Sequence, residues 1–250
     1  MSIKAYRGFG KIKIAAFEEG VPFHSLGFRD PGNASAFALS AAEQSEDLPD
    51  YTSAAGGVDA SYRRVESVSG NADLRHYTPQ NLAQVFWGAA NDYTGAVVAA
   101  EATVFRPGMF VPTKNLIDLS VPVVISKSAT PINTADYVAS PAGVTFALTA
   151  ATAGLIAGDA ITIGYTSADS TNIEALIETA PRVAMLFEGV NAVDAKPLVV
   201  AIWKARLGIA SSTALIGDGF GTLPIGYTVE KDSRIVTPGL SQYFKVLVGA

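Results

Sequence analysis

Polar and apolar positions alternate with a period of two through much of this chain, which puts successive side chains on opposite faces of an extended strand. Lys11 and Lys13 fall on one side of residues 3–17, and Ile12 and Ile14 on the other. Ile161, Ile163 and Tyr165 alternate in the same way through AITIGYT, Ala160 to Thr166. Further strands are predicted over Phe23 to Phe28, Ala34 to Leu39, Val58 to Leu74, Ala96 to Phe105, Val121 to Ile125, Tyr137 to Ala139 and Val144 to Leu148. Ile173 to Glu178 and Arg182 to Glu188 are predicted to pair across Ala180-Pro181, and Leu198 to Leu207, Leu223 to Val229 and Tyr243 to Val248 complete the set. Turn signals such as Asp30-Pro31-Gly32-Asn33 separate them. Ser40 to Gly57, polar and interrupted by Pro49, is predicted to be a long projecting loop. Many short strands with regular turns indicate a mainly β sandwich or barrel.

One stretch departs from the two-residue period. In Tyr77-Thr78-Pro79-Gln80-Asn81-Leu82-Ala83, Thr78 suits a helix N-cap and Pro79 the first helical position. Leu82, Val85 and Phe86 then share a face at i, i+3 and i+4, and Gly88 is placed to end the helix in a left-handed C′ conformation. A helix of about ten residues is marginal alone in water, so this one must be held by docking its apolar face on a sheet.

Composition changes the picture in two ways. Charged residues are 16% of the 250-residue chain, against roughly 25% for an ordinary domain, which points to surface that is covered in an assembly. The formal net charge of −5 argues against a protein that grips nucleic acid. Charge is also segregated. Arg29 to Arg63 encloses no Lys or Arg but six carboxylates, whereas Arg182, Lys196, Lys204, Arg206, Lys231, Arg234 and Lys245 crowd the last third. An acidic segment of one copy could therefore meet a basic face of another, or both could be solvated. There is no Cys, which removes disulfides, thiolate metal sites and Cys nucleophiles. No apolar run approaches the length of a membrane span or a signal h-region.

Candidate chemistry is sparse. His24-Ser25 has no nucleophile elbow around it, and His24 and His76 without Cys or a carboxylate cluster do not make a zinc site. Gly217-Asp218-Gly219-Phe220-Gly221 lacks the following helix that a phosphate cradle needs and is read as a turn. No cofactor is expected, and an enzyme is the weakest of the functional classes considered.

A long strand feeding an aromatic-Thr/Ser-Pro-x-Asn-Leu-Ala turn and a single helix resembles the tail tube, or major tail, proteins of long-tailed bacteriophages. RVAMLFEG (182–189), the strand after it, and the ending GLSQYFKV (239–246) resemble the C-terminal half of that family. The resemblance covers most of the chain and implies one tail tube domain over 1–250; about 120–168 matches least and could be an inserted or peripheral β segment. It implies a virion protein assembled in the host cytoplasm. Its rings, of six subunits, would continue one sheet into an inner β-barrel and stack around a channel through which the genome passes. The implied partners are further copies of itself, the tail terminator, the tape measure and distal tail proteins, with transient passage of double-stranded DNA and no membrane insertion. Glu66 and Asp73 are the candidate channel-lining residues, and Glu43, Glu46, Asp47 and Asp50 the candidate subunit-interface loop. Two other readings stand beside this one: a β-sandwich receptor- or glycan-binding module of a tail, and the tube of a contractile tail or type VI secretion system.

Overall fold

The alternation over residues 58–74 is realised as a strand of seventeen residues, β3 (Val58–Leu74), in the computed structural model, which describes residues 5–52, 56–148 and 154–249. Val68, Ala72 and Leu74 face the core while Asn71 and Asp73 face the other way. β3 pairs antiparallel on one side with β2 (Ala34–Pro49) and on the other with β15 (Leu223–Val229). The sheet continues through β14 (Pro197–Leu207) and β13 (Arg182–Asn191) to β1 (Gly8–Ala16). β14 is shared end to end: residues 198–202 pair with β16 (Phe244–Val248) and 205–207 with β15.

This seven-stranded sheet curls until β2 meets β13 across the interior. Phe37 stacks on Phe187 at 5.5 Å and on Tyr227 at 5.9 Å. Ile12, Ile14, Met185, Ile202, Leu207, Leu223 and Ile225 fill the space between, each no more than 1% exposed. Burial of such side chains is worth about 1.5–3 kcal/mol each, and the helix α1 (Pro79–Val85) adds the fully buried Val85 to the same core. Neither this sheet nor any other among the described residues closes into a barrel.

The chain forms two compact units, one of residues 1–90 and 173–250 and the other of 91–172. The segment 120–168 lies within the second, whose bounds are wider. β4 (Ala89–Tyr93) and β12 (Ser170–Glu174) pair with each other where the chain passes between the units. In the second unit β5 (Val97–Val104), β11 (Ala160–Thr166), β7 (Val124–Lys127) and β8 (Thr130–Pro131) form one sheet. β6 (Phe110–Pro112), β10 (Gly143–Phe146) and β9 (Tyr137–Ser140) form another. Its core is its own, built on Phe105, Ile125, Val144, Phe146 and Ile163.

Several expectations are corrected. Ser40 to Gly57 is not a loop up to Pro49; β2 runs on to Pro49 and pairs with β3 residue by residue, because main-chain hydrogen bonds make a ribbon regardless of side-chain polarity. Phe23 to Phe28 contains a 3₁₀ turn, Phe23–Ser25, rather than a strand. There Phe23 packs edge-on against Trp203 at 5.0 Å. Arg182 to Glu188 does not pair with Ile173 to Glu178: β13 lies between β1 and β14, which take up the hydrogen bonds of both its edges. The helix is seven residues long, and Trp87, not Gly88, takes the left-handed conformation, at φ 49°. The Trp87 N–H bonds the Gln84 carbonyl and the Gly88 N–H the Ala83 carbonyl, a Schellman ending shifted one residue from the glycine. Gly88 is needed for another reason: a Cβ there would lie 2.2 Å from the Glu174 carbonyl oxygen.

Two predictions follow from the core. A Cβ on Gly70 would meet the Ala38 carbonyl oxygen at 2.2 Å and the Tyr227 hydroxyl at 2.4 Å. Gly70→Ala should therefore lower the unfolding free energy by about 1–3 kcal/mol in urea titrations; an unchanged midpoint contradicts this packing. Burial pushes the Tyr227 phenol well above its ordinary value of 10.0 while its hydroxyl donates to Ala38 O at 2.8 Å. The folded state favours the neutral form, so this contribution is complete below pH 10 and lost as pH climbs beyond it. Tyr227→Phe should flatten that part of the alkaline stability profile.

Candidate assembly surface

The helix that carries the sequence motif is a positioning device. Thr78 caps it by accepting from the Asn81 N–H at 3.3 Å. Leu82 and Phe86 pack against the main core around Val85. Asn81, which periodicity alone does not single out, is completely buried. Its amide donates to the carbonyls of Pro31 and His76, both at 2.8 Å, and its Oδ1 accepts from Arg29 Nη1 at 2.7 Å. Arg29 also reaches Gln84, and burial lowers its pKa from the ordinary value. The helix is thereby tied to the Arg29–Gly32 turn, and its far end to residues 176–178 through the Phe86 and Trp87 carbonyls. This fixes where β3 ends and the next segment begins.

The face of β2, β3 and β15 turned away from the core is made of small and polar side chains. Three cross-strand rows cover it: Ala36–Asp73–Pro224, Ala38–Asn71–Gly226 and Ser40–Ser69–Thr228. None of these nine positions carries a cation, and Asp73, half-buried, is the single carboxylate among them. Glu66 lies at the middle of the strand. The register passes from Ala42↔Ser67 to Glu43↔Val65, leaving Glu66 as an unopposed bulge residue. The two carboxylates are seven residues apart along one strand, roughly 20 Å, and form no joint site.

Beyond that bulge the hairpin leaves the core. Every described residue from Glu43 to Val65 except the half-buried Asp50 is exposed. Glu43, Glu46 and Asp47 thus stand on the strand part of a ribbon, and Asp50 just past its end, rather than on a loop as expected. Arg63 reaches Glu43 at 3.5 Å and Arg64 Nε donates to Gln44 at 2.7 Å; exposed pairs of this kind are worth little. Leu48, Tyr51, Val58, Tyr62 and Val65 are more than half exposed. The outer edge of β2 pairs with nothing among the described residues. A groove of about 490 Å³, lined by Phe9, Phe37, Leu39, Phe187, Val200 and Val246, marks the seam where the curled sheet stays open.

A cationic cluster sits at the ends of β13, β14 and β15. Glu230 receives Arg182 Nε and Lys204 Nζ, each at 3.2 Å, and Arg206 Nε at 2.8 Å. Burial opposes ionisation of Glu230, but hydrogen bonds from Lys204 and Arg206 hold its carboxyl below the ordinary value. Asp232 binds Arg234 at 2.8 Å, and Lys204 and Arg234 lie over the Phe17 ring at 5.2 and 4.9 Å. The alternation of Lys204 and Arg206 in the sequence signals one shared face; their convergence on Glu230, 24 residues past Arg206, does not show in any local pattern.

Among the described residues no group of three His, Asp or Glu side chains is placed to hold a metal ion, and no helix is long and apolar enough to cross a membrane. What the surface offers among the described residues is an unpaired edge, a projecting ribbon and segregated charge. Over residues 5–247 the sequence matches the family described as "Protein of unknown function UCP028589", and the chain belongs to that family. No curated protein matches it.

Asn81→Leu removes the donor for two carbonyls and the acceptor for Arg29. Leaving such buried groups unsatisfied costs about 1–3 kcal/mol each, so thermal unfolding should shift clearly downward. A variant as stable as the parent would mean that the Arg29–Gly32 turn is not held through this side chain.

Proposed function

We propose that this protein is the tail tube subunit of a long-tailed bacteriophage, assembling into stacked rings around a channel for the genome. The observation that carries the reading is the β2–β3 ribbon. Among its described residues this strand pair buries no side chain, exposes five large apolar residues and leaves one edge unpaired, which a monomer has no evident use for. A neighbouring copy that pairs with this edge or covers this ribbon supplies the missing contacts by strand addition. Repeated around an axis, the contact closes a ring.

The two ends of the sheet support stacking. The ribbon projects past one end, beyond the pairing of β3 with β15. At the other, where Leu74 pairs with Leu223, the preceding loop holds Leu215, Ile216 and Phe220 at 80, 96 and 97% exposure. Unlike ends carrying exposed apolar groups suit a head-to-tail contact that does not close along the axis, which makes filaments. The small-residue face of β2, β3 and β15 is the surface that best suits the bore. DNA carries one negative charge per about 1.7 Å of duplex, and the nine positions of these rows, which hold no Lys or Arg, give its phosphates no place to stall; cations enter only where the Ser40–Ser69–Thr228 row continues into Arg206 and Arg182. The resemblance in the Tyr77–Ala83 turn points the same way.

The test is negative-stain electron microscopy of the purified protein at rising concentration, with tail tips added as seeds. Rings or tubes with a central hole are expected. A protein that remains a monomer with seeds present contradicts the proposal. A second variant replaces residues 44–64 with a two-residue turn. Because the described residues among those removed lie outside the core, it should unfold at the parental temperature yet form no tubes. Tubes from the shortened chain would show that the ribbon is not the assembly element.

A further inference from the structure

We infer that the acidic β2–β3 ribbon of one copy docks on the Arg182–Lys204–Arg206 cluster of the adjacent copy in the same ring. The inference rests on the tube reading and names the contact that would make the ring.

Charge is the first argument. Residues 43–65 carry five carboxylates against Arg63 and Arg64, a formal −3. Arg63 is drawn to Glu43 and Arg64 to Gln44, so Glu46 and Asp47 make no ion pair among the described residues. The cluster holds Arg182, Lys204, Arg206, Lys231 and Arg234 against Glu230 and Asp232, a formal +3. Glu19, which acts on Arg234, lowers that to +2. Arg182 and Arg206 are each 45% exposed, and each meets Glu230 through Nε, the inner nitrogen of the guanidinium. A fork-shaped donor held this way can still present its outer edge to a second carboxylate.

Position is the second argument. Val229 pairs with Val68, and Val68 with Ala41, so Glu230 stands level with the Ala42–Ser67 pair where the ribbon begins. Cluster and ribbon are thus at the same end of the sheet, with β15 between the cluster's β14 and the ribbon's β3. Rotation about an axis along the strands keeps every group at its own height. It therefore carries a neighbour's cluster to the level of this copy's ribbon base, which a head-to-tail stacking step does not do. The two surfaces suit the lateral contact.

The test uses charge exchange in the full chain, read by sedimentation velocity and negative stain. Glu46→Lys with Asp47→Lys, and separately Arg182→Glu with Arg206→Glu, should each raise the concentration needed for assembly at least tenfold. Combining all four should restore assembly toward the parental level, which a mere folding defect would not allow. Raising salt from about 0.05 to 0.5 M should weaken assembly of the parent, since these charges are exposed. The inference is overturned if the reversed ribbon assembles like the parent, or if the four-fold variant is as impaired as its components. It is also overturned if reversing the cluster only lowers retention of double-stranded DNA on a filter, which would make the cluster a phosphate site. A parental protein that never associates overturns the tube reading itself; one that assembles while ignoring the reversals overturns this contact alone.

Discussion

The constraint on which the rest depends is that a strand pair must satisfy its backbone hydrogen bonds somewhere. Within the seven-stranded sheet each inner strand does so through two neighbours, and the curled sheet buries Ile12, Met185, Ile202 and Ile225 in its interior. β2 cannot. It ends the sheet, its outer edge pairs with no described residue, and it runs on past the bulge at Glu66 as half of a ribbon with no core beneath it. Natural proteins blunt long exposed edges, because such edges recruit further strands. Here the edge is long, and the ribbon is charged with a single sign in excess. The charge discourages indiscriminate pairing along that edge while leaving a partner of opposite charge free to dock.

The rest of the larger unit serves to hold that ribbon in place. β3 is pinned at one end by the Leu74–Leu223 pair and by the helix that follows it. The helix is in turn fixed by Asn81 and Arg29 and closed by the Trp87 turn against residues 174–178. Between that end and the bulge Tyr227 reaches through the space that Gly70 leaves and bonds Ala38, locking β2, β3 and β15 together four residues before Glu66. A sheet held at these two points transmits a fixed direction to the ribbon and a fixed attitude to the face of small side chains beside it. In the proposed tube, one set of strands therefore sets both the subunit contact and the lining of the channel.

Much of this was legible in the sequence, and the failures have physical causes. Strands with a buried face announce themselves: Val58–Leu74, Ala160–Thr166 and Leu223–Val229 stand where their alternation put them. The β2 half of the ribbon, Ser40 to Pro49, did not, because a strand solvated on both faces has no apolar period, and its polarity imitates a loop. Glycine bears the left-handed conformation at least cost, which points to Gly88, yet Trp87 adopts it, and Gly88 is instead required by the close approach of the Glu174 carbonyl. Asn81 was read only as part of a motif, since nothing local tells a buried amide from an exposed one. The Glu230 cluster joins three strands, and long-range convergence leaves no trace in spacing.

The measurement that tests the central claim most directly is hydrogen–deuterium exchange across β2, comparing the protein at low concentration with the assembled form. A free edge exchanges rapidly, and one paired or covered by a neighbour is protected. The account predicts that amides between Glu43 and Pro49 become protected on assembly while those of the buried strand β14, already slow, change little. Protection that appears elsewhere and leaves this edge as fast as before would show that the subunits meet through another surface.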